Sequence, residues 1–204
     1  MMIVIFGAGN HALEAYNVLN DLGYKDNIFY YEENSNNHGR VHGYSTIIDI
    51  QALNRKVIGV LGVGMPHRTY IDRIERYVDR WMTVVHPSAH FCNDVMLGKA
   101  AVIKQRAILM PYSKIGNYVQ VNVNALIGHH AEIRDYSCIS PSAQIMGNVI
   151  IGSECNIGAA AVIIEKINIA DRVTIGAGAV VIRSITEPGT TWAGVPAKKI
   201  KCSP

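Results

Sequence analysis

Residues 121–145 read Val121-Asn122-Val123-Asn124-Ala125-Leu126-Ile127-Gly128-His129-His130-Ala131-Glu132-Ile133-Arg134-Asp135-Tyr136-Ser137-Cys138-Ile139-Ser140-Pro141-Ser142-Ala143-Gln144-Ile145. An aliphatic residue falls on every sixth position of this stretch (Val121, Ile127, Ile133, Ile139, Ile145), and a small one lies four places after each. The register continues in both directions. Its aliphatic or aromatic series runs from Val85 and Phe91 to Ile175 and Val181 without a miss, and its small or β-branched series from Ala89 through Cys155 to Ala179 and Ile185. A helix repeats at 3.6 residues and a strand at 2, so neither produces this pattern. A hexapeptide repeat does, and it specifies a parallel β-helix.

In such a solenoid each hexad forms one side of a triangular prism. The aliphatic residue points inward, the small residue fills the tapering interior, and the remaining positions turn the corner. Residues 18 apart then stack at a strand spacing of about 4.8 Å, giving roughly five to six coils and a height on the order of 27 Å. Glycine recurs directly after the inward residue (Gly98, Gly116, Gly128, Gly152, Gly158, Gly176), where a tight corner or a close backbone approach suits a missing Cβ. No insertion breaks the register between 85 and 185. The prism therefore offers no long loop to fold over a substrate, and another part of the chain must hold it.

The first eighty residues supply that part. Met2–Phe6 reads as a buried strand, followed by Gly7-Ala8-Gly9-Asn10-His11-Ala12 and an amphipathic helix from about His11 to Leu22, with Gly23 as its stop. Asn27–Tyr31 is a second strand with Glu32 and Glu33 at its end. Lys56–Leu61 is a third, followed by Gly62-Val63-Gly64 and a helix from about Pro66 to Val78. Alternating strands and helices imply a small parallel α/β domain. The chain thus divides into residues 1–82 and 83–204. Gly7-x-Gly9-x-x-Ala12 between strand and helix matches the dinucleotide fingerprint, with Glu32 and Glu33 near the distance of the ribose-binding acid. Its glycines admit a ligand to backbone amides, and a helix N-terminus favours anions. About eighty residues hold only one half of a full dinucleotide fold. That half-Rossmann-like unit suits a single nucleotide; the alternative is a plain strand-to-helix turn in a packing cap.

The formal net charge of +3 over 204 residues is too small to argue for nucleic acid. No uninterrupted apolar run reaches the roughly 18 residues of a membrane span, and the chain opens directly on a strand rather than a signal peptide. Cys92, Cys138, Cys155 and Cys202 show no metal or redox spacing, and Cys155 occupies an inward slot of the repeat. A reduced, cytoplasmic setting is expected.

Several local strings carry a resemblance over nearly the whole chain. They are Phe6-Gly7-Ala8-Gly9 with His11, Gly62 with Arg68, His86-Pro87-Ser88-Ala89, Ile127-Gly128-His129-His130, Gly147-Asn148-Val149-Ile150-Ile151-Gly152, and Ala193-Gly194-Val195-Pro196-Ala197-Lys198. With them the chain resembles the sugar acyltransferases that include bacterial sialic acid O-acetyltransferases and, closest in type, N-acetyltransferases of nucleotide-linked amino sugars. The resemblance implies a left-handed β-helix, a homotrimer with active sites between subunits, and acetyl-CoA as co-substrate without a metal. It places the general base on His129, at an outward-facing corner. A neutral imidazole suits the removal of an amine proton near neutral pH.

The family's acidic partner to that base is replaced by His130, which can fix a tautomer but cannot stabilise an imidazolium as a carboxylate does. Asp94 stands in the same column as His130 but two coils and about 10 Å away, so the candidate substitute is Asp94 of a neighbouring subunit; alternatively, the amine loses its proton to water before binding. The resemblance further implies cofactor contacts at Gly147, Gly158, Ala159, Ala177, Gly178, Pro196 and Lys198. Substrate contacts fall on Gly7, Gly9, Asn10, His11, Glu32, Glu33, Gly62 and Arg68. The implied reaction is N-acetylation of a UDP- or dTDP-linked 4-amino-4,6-dideoxy sugar destined for lipopolysaccharide O-antigen or other surface glycans. The alternative is O-acetylation of a sialic-acid-type hydroxyl. Remoter readings are a trimeric zinc carbonic anhydrase and a non-enzymatic assembly module.

Overall fold

The structure, a computed structural model, describes residues 2–33, 46–47, 50, 56–92 and 94–200, so Cys202 lies outside the described residues. Strands β1 (Ile3–Phe6), β2 (Ile28–Tyr31), β3 (Thr46–Ile47), β4 (Val57–Leu61) and β5 (Val78–Trp81) form one parallel sheet in the order β3-β2-β1-β4-β5. Helix α1 (Asn10–Asp21) connects β1 to β2, and α2 (Arg68–Ile74) lies between β4 and β5. The strand order reverses between β1 and β4, which creates a crevice at their carboxyl ends. Gly7 and Gly62 sit at that crevice.

The second helix is shorter than expected. It ends at Ile74, passes through a 3-10 turn at Glu75–Tyr77, and residues 78–81 form a fifth strand instead of a last helical turn. Val78 packs into the cap core, and Trp81 covers Gly59, where a Cβ would lie 2.8 Å from the indole. Burying these two side chains against the sheet outweighs the helical periodicity of the preceding segment.

From Val84 the chain enters the prism. Two-residue strands β6 to β22, from Val84–Val85 to Val180–Val181, are distributed over three parallel sheets. The face beginning at Val84–Val85 is called here the cap face, that beginning at His90–Phe91 the groove face, and that beginning at Met96–Leu97 the open face. Strands stack with an offset of eighteen residues, for example Leu109 on Ile127 and Ile127 on Ile145. The inward residues Ile103 through Ile163 form a continuous buried column with Ala125, Ala143, Cys155 and Ala161 beside them. Each fully buried aliphatic contributes about 1.5–3 kcal/mol by removal from water. Strands β23 (Thr191–Ala193) and β24 (Lys198–Ile200) close the last coil as an antiparallel pair, covering an edge that would otherwise offer unpaired backbone groups.

The corner geometry separates two roles that the glycines could have played. From Leu97 to Ile175, left-handed backbone falls on the third residue after each inward one, including Tyr112, Tyr136, His130 and Asn148 (φ 59–63° for all but His130, at 58°). The glycines directly after the inward residue are not the left-handed positions. They serve close approach between coils: a Cβ on Gly128 would lie 2.5 Å from the Met146 carbonyl carbon.

The cap rests on the cap face. Val84, Ala100, Val102 and Tyr118 of the prism belong to the same buried cluster as Phe6, Leu19 and Ile71 of the cap. Tyr118 meets Trp81 edge-on at 5.3 Å and stacks on Tyr136 at 5.2 Å. Among the described residues, no helix is long and apolar enough to cross a membrane.

Candidate active site

The corner between the groove face and the open face lies opposite the cap face, and it carries His129 and His130. At this corner Met110, Gly128, Met146 and Ile164 stack in one column, and with Leu126, His129, Gly147 and Glu165 they line a mainly apolar groove of 460 Å³. Gly128 opens the groove by leaving a gap in the apolar column. The His129 ring lies against Gly147, where a Cβ would come within 2.5 Å of Nε2. Gly147, expected as a cofactor contact, therefore also seats the imidazole.

His129 Nδ1 is 3.2 Å from His130 Nδ1, and the two rings are nearly perpendicular. His130 in turn lies over Tyr112, with ring centroids 5.0 Å apart. One of two facing imidazole nitrogens must donate and the other accept. With His129 Nδ1–H donating to His130, the lone pair on His129 Nε2 is left beside Gly147 at the groove. In that tautomer the second histidine provides the orienting hydrogen bond without an anion. Among the described residues, Asp94 makes no hydrogen bond or ion pair with either histidine; it is exposed in their column, with Tyr112 between it and His130.

The other cofactor candidates occupy a different corner. Gly158, Ala159, Ala177 and Gly178 lie between the cap face and the groove face, across the latter from His129. Ala159, Ala177 and Gly178 are exposed, and Gly178 adopts the left-handed corner with nothing within 4 Å of its missing Cβ among the described residues. Small exposed side chains leave their backbone amides reachable, which fits a pantetheine chain. Pro196 and Lys198 are exposed beside the same last coil, where Ala197 N donates to Val180 O at 2.8 Å.

In the cap, Gly7 (φ 127°) requires glycine, since a Cβ would lie 2.7 Å from the Gly62 carbonyl oxygen. Gly62 is needed for packing as well: a Cβ there would strike Ile5. Gly9 and Asn10 are exposed, and among the described residues nothing lies within 4 Å of the missing Gly9 Cβ and no side chain caps α1. The uncapped amides of α1 face this opening, a favourable setting for phosphate. His11 reaches across to Gly64, where a Cβ would meet Nε2 at 2.5 Å. Burial and the Lys104 charge hold the His11 pKa below its ordinary value, against the pull of Glu14.

Glu32 and Glu33 follow β2 at the same end of the sheet, and Glu33 accepts from Arg73 Nη2 at 2.9 Å. Arg68 turns towards the prism, its guanidinium 5.6 Å from the Tyr136 ring centre. Sequence reasoning missed Met110, Leu126, Met146 and Ile164 as groove lining. The eighteen-residue column through Gly128 contained the signal. It missed Lys104, Gln120 and Asn122 beneath the cap entirely. Among the described residues, no group of three or more His, Cys, Asp or Glu side chains is placed to hold a metal ion.

Neither protein-family models nor curated proteins give a match to the chain. Solved structures do. The acetyltransferase domain of PglB from Neisseria gonorrhoeae FA1090, in complex with acetyl coenzyme A, is 27% identical with a TM-score of 0.88, and 98% of each chain is covered. A perosamine N-acetyltransferase mutant from Caulobacter crescentus, in complex with CoA and GDP-perosamine, is 22% identical with a TM-score of 0.89 over 99% of this chain and 98% of that one. WeeI from Acinetobacter baumannii AYE is 20% identical with a TM-score of 0.87 over 98% of this chain and 100% of that one. At their identities the last two show the fold alone, whereas the first joins fold to sequence along the full length. Prism and cap together follow the plan of that acetyltransferase domain, and the chain resembles the hexapeptide-repeat, β-helix acetyltransferases in fold and over its full length.

Proposed function

We propose that the protein transfers an acetyl group from acetyl-CoA to the amino group of a nucleotide-linked 4-amino-4,6-dideoxy sugar, a building block for surface polysaccharide. The observation that carries this reading is the His129 imidazole seated on Gly147 in an apolar groove, its other nitrogen engaged by His130. Residues 1–82 hold the nucleotide through the amides of α1, and residues 83–204 carry the acyl transfer. As the amine nitrogen attacks the thioester carbonyl, His129 Nε2 takes the amine proton. The C–S bond breaks, and the proton passes to the departing thiolate, leaving an amide and CoA.

An amine nucleophile fits a base that lacks a carboxylate partner. A sugar hydroxyl is much harder to deprotonate and leans more heavily on a strengthened base, which disfavours the O-acetylation reading. The cap and His129 lie on opposite sides of the prism. Within one chain, a substrate held at Gly9 faces away from the base; a second copy presenting its groove brings the two together. A homotrimer with sites between subunits meets that requirement, and the apolar outward residues Ile108, Leu126, Val162 and Val180 of the groove face suit contact with a neighbour.

The test is incubation with acetyl-CoA and a panel of UDP-, dTDP- and GDP-linked 4-amino sugars, following thiol release and product mass. GDP joins the UDP and dTDP forms because the Caulobacter crescentus neighbour holds GDP-perosamine. One acetyl group gained on one nucleotide sugar is the expected result. Silence across the panel while acetyl-CoA binds would move the reading to a free sugar hydroxyl.

A further inference from the structure

Lys104 is 1% exposed, an unusual position for a lysine, on the prism corner beneath α1. Its ammonium has three N–H donors and three acceptors around it: Glu14 Oε2, Asn122 Oδ1 at 2.7 Å and His11 Nδ1 at 3.1 Å. Asn122 is itself fixed, donating to Ile139 O at 2.8 Å and to Cys138 Sγ at 3.5 Å. A nitrogen that accepts from an ammonium carries no proton of its own, so the His11 proton resides on Nε2. The competing arrangement, an imidazolium donating from Nδ1 to Glu14 at 3.3 Å, would set an N–H against the lysine N–H. Lys104 and Glu14 are the charged groups facing His11. The nearby Cys138 thiol is neutral, its pKa pushed up by burial.

A second prism residue grips the other side of the cradle. Gln120, also 1% exposed, donates through Nε2 to the Val63 carbonyl, in the middle of Gly62-Val63-Gly64. Its Oε1 is buried and has no hydrogen-bond partner among the described residues. The His11 edge bearing Nε2 lies against Gly64 of the same segment.

We propose that Lys104 is a positioning residue for the cap's ligand: it holds His11 as the neutral tautomer whose Nε2–H is a fixed donor to the phosphate or sugar oxygens of the substrate. Gln120 sets the opposing loop by its hold on Val63. The inference rests on the nucleotide reading of the cap and deepens it, because it assigns the cap's specificity partly to the prism. A lysine that merely staples cap to prism would leave the protonation of His11 and the pH dependence of binding untouched.

The sign of the expected change follows from the two neighbours. Without the ammonium, Glu14 alone faces His11 and raises its pKa; without Glu14, the ammonium alone lowers it. The experiment records 15N-histidine spectra of the full-length protein, together with the affinities for UDP, dTDP and GDP between pH 5.5 and 8. Acetyl-CoA binding serves as the control for folding. In the wild type, His11 should show the Nε2–H tautomer and ionise below the ordinary range, with nucleotide affinity flat above it. In Lys104→Met, His11 should ionise at higher pH, and affinity should fall about tenfold at pH 8 and recover several-fold as pH drops and the imidazolium forms.

Glu14→Gln, at a half-exposed position, should move His11 the opposite way, and it decides the matter if Lys104→Met no longer binds acetyl-CoA. An unchanged His11 in the folded variants, or an unchanged pH profile of nucleotide affinity, overturns the proposal. If the wild type binds none of the three diphosphates, the nucleotide reading falls and the donor's assigned target with it. The spectra would then still decide whether Lys104 sets the tautomer.

Discussion

Two imidazoles in this molecule each lie against a glycine, one in the prism and one in the cap. His129 rests on Gly147, eighteen residues on, because one coil of the repeat brings them together. His11 rests on Gly64 and is held by Lys104, 93 residues away. In the prism, a side chain's neighbours follow from its position modulo six and eighteen. In the cap, they depend on how one sheet docks on another structure. Placement by repetition is rigid and readable, while placement by docking brings in residues that no local pattern announces.

The first way to press on this contrast is to remove the prism imidazole. His129→Ala should lower turnover at least a hundredfold, within the 10²–10⁴-fold range of general-base catalysis, with nucleotide binding in the cap retained. Thiol-release kinetics beside nucleotide titration check both halves. Near wild-type turnover at every pH would remove the base assignment.

A second comparison uses equal lesions in unequal surroundings. Ile145→Ala and Ile5→Ala each truncate a side chain with 0% exposure, and each should cost about 2–5 kcal/mol in chemical denaturation. The prism lesion should leave nucleotide affinity intact in the folded protein, and the cap lesion should not.

The two glycines give a third. Gly147→Ala should displace the His129 ring and lower kcat about ten- to hundredfold, the scale of an ångström of misplacement. Gly64→Ala should instead weaken nucleotide binding. If both substitutions act on the same kinetic parameter, the division of labour between the regions is wrong. The smallest effect is expected at His130. His130→Ala should cost only several-fold in kcat through loss of the orienting hydrogen bond, since a net hydrogen bond is worth about 1 kcal/mol. His130→Glu should raise the pH-independent rate by giving the imidazolium a carboxylate.

The pattern of legibility follows the same division. Val85 through Val181 announced the prism because a period of six leaves no other architecture, and the inward residues of its middle and late coils are buried as the register requires. Gly128 and His129 were legible as a corner, and the eighteen-residue arithmetic that joins Tyr112 to His130 also sets Met110 and Met146 in the column of Gly128. The strand-to-helix glycines Gly7 and Gly9 were legible from their fingerprint spacing, and Gly7 takes up a φ of 127° that favours glycine. Strand β5 was hidden because the Arg68–Ile74 helix runs straight into it, and its place depends on Trp81 finding Gly59 across the sheet. Lys104 was the most deeply hidden. Its position after an inward Ile103 marks an outward corner residue, and only the docked α1 turns that exposed slot into a buried one.

The central claim is that one copy's cap serves another copy's corner, and mixing variants tests it most directly. Gly9→Trp fills the cradle mouth, where among the described residues nothing lies within 4 Å of the missing Cβ, and His129→Ala removes the base; each alone should retain at most about a hundredth of wild-type turnover. Co-expressed and purified as mixed oligomers, they should regain a substantial fraction of wild-type turnover, since some sites then pair an intact cap with an intact His129. Mixed oligomers as inactive as either parent would contradict the shared site and place cap and base within one chain.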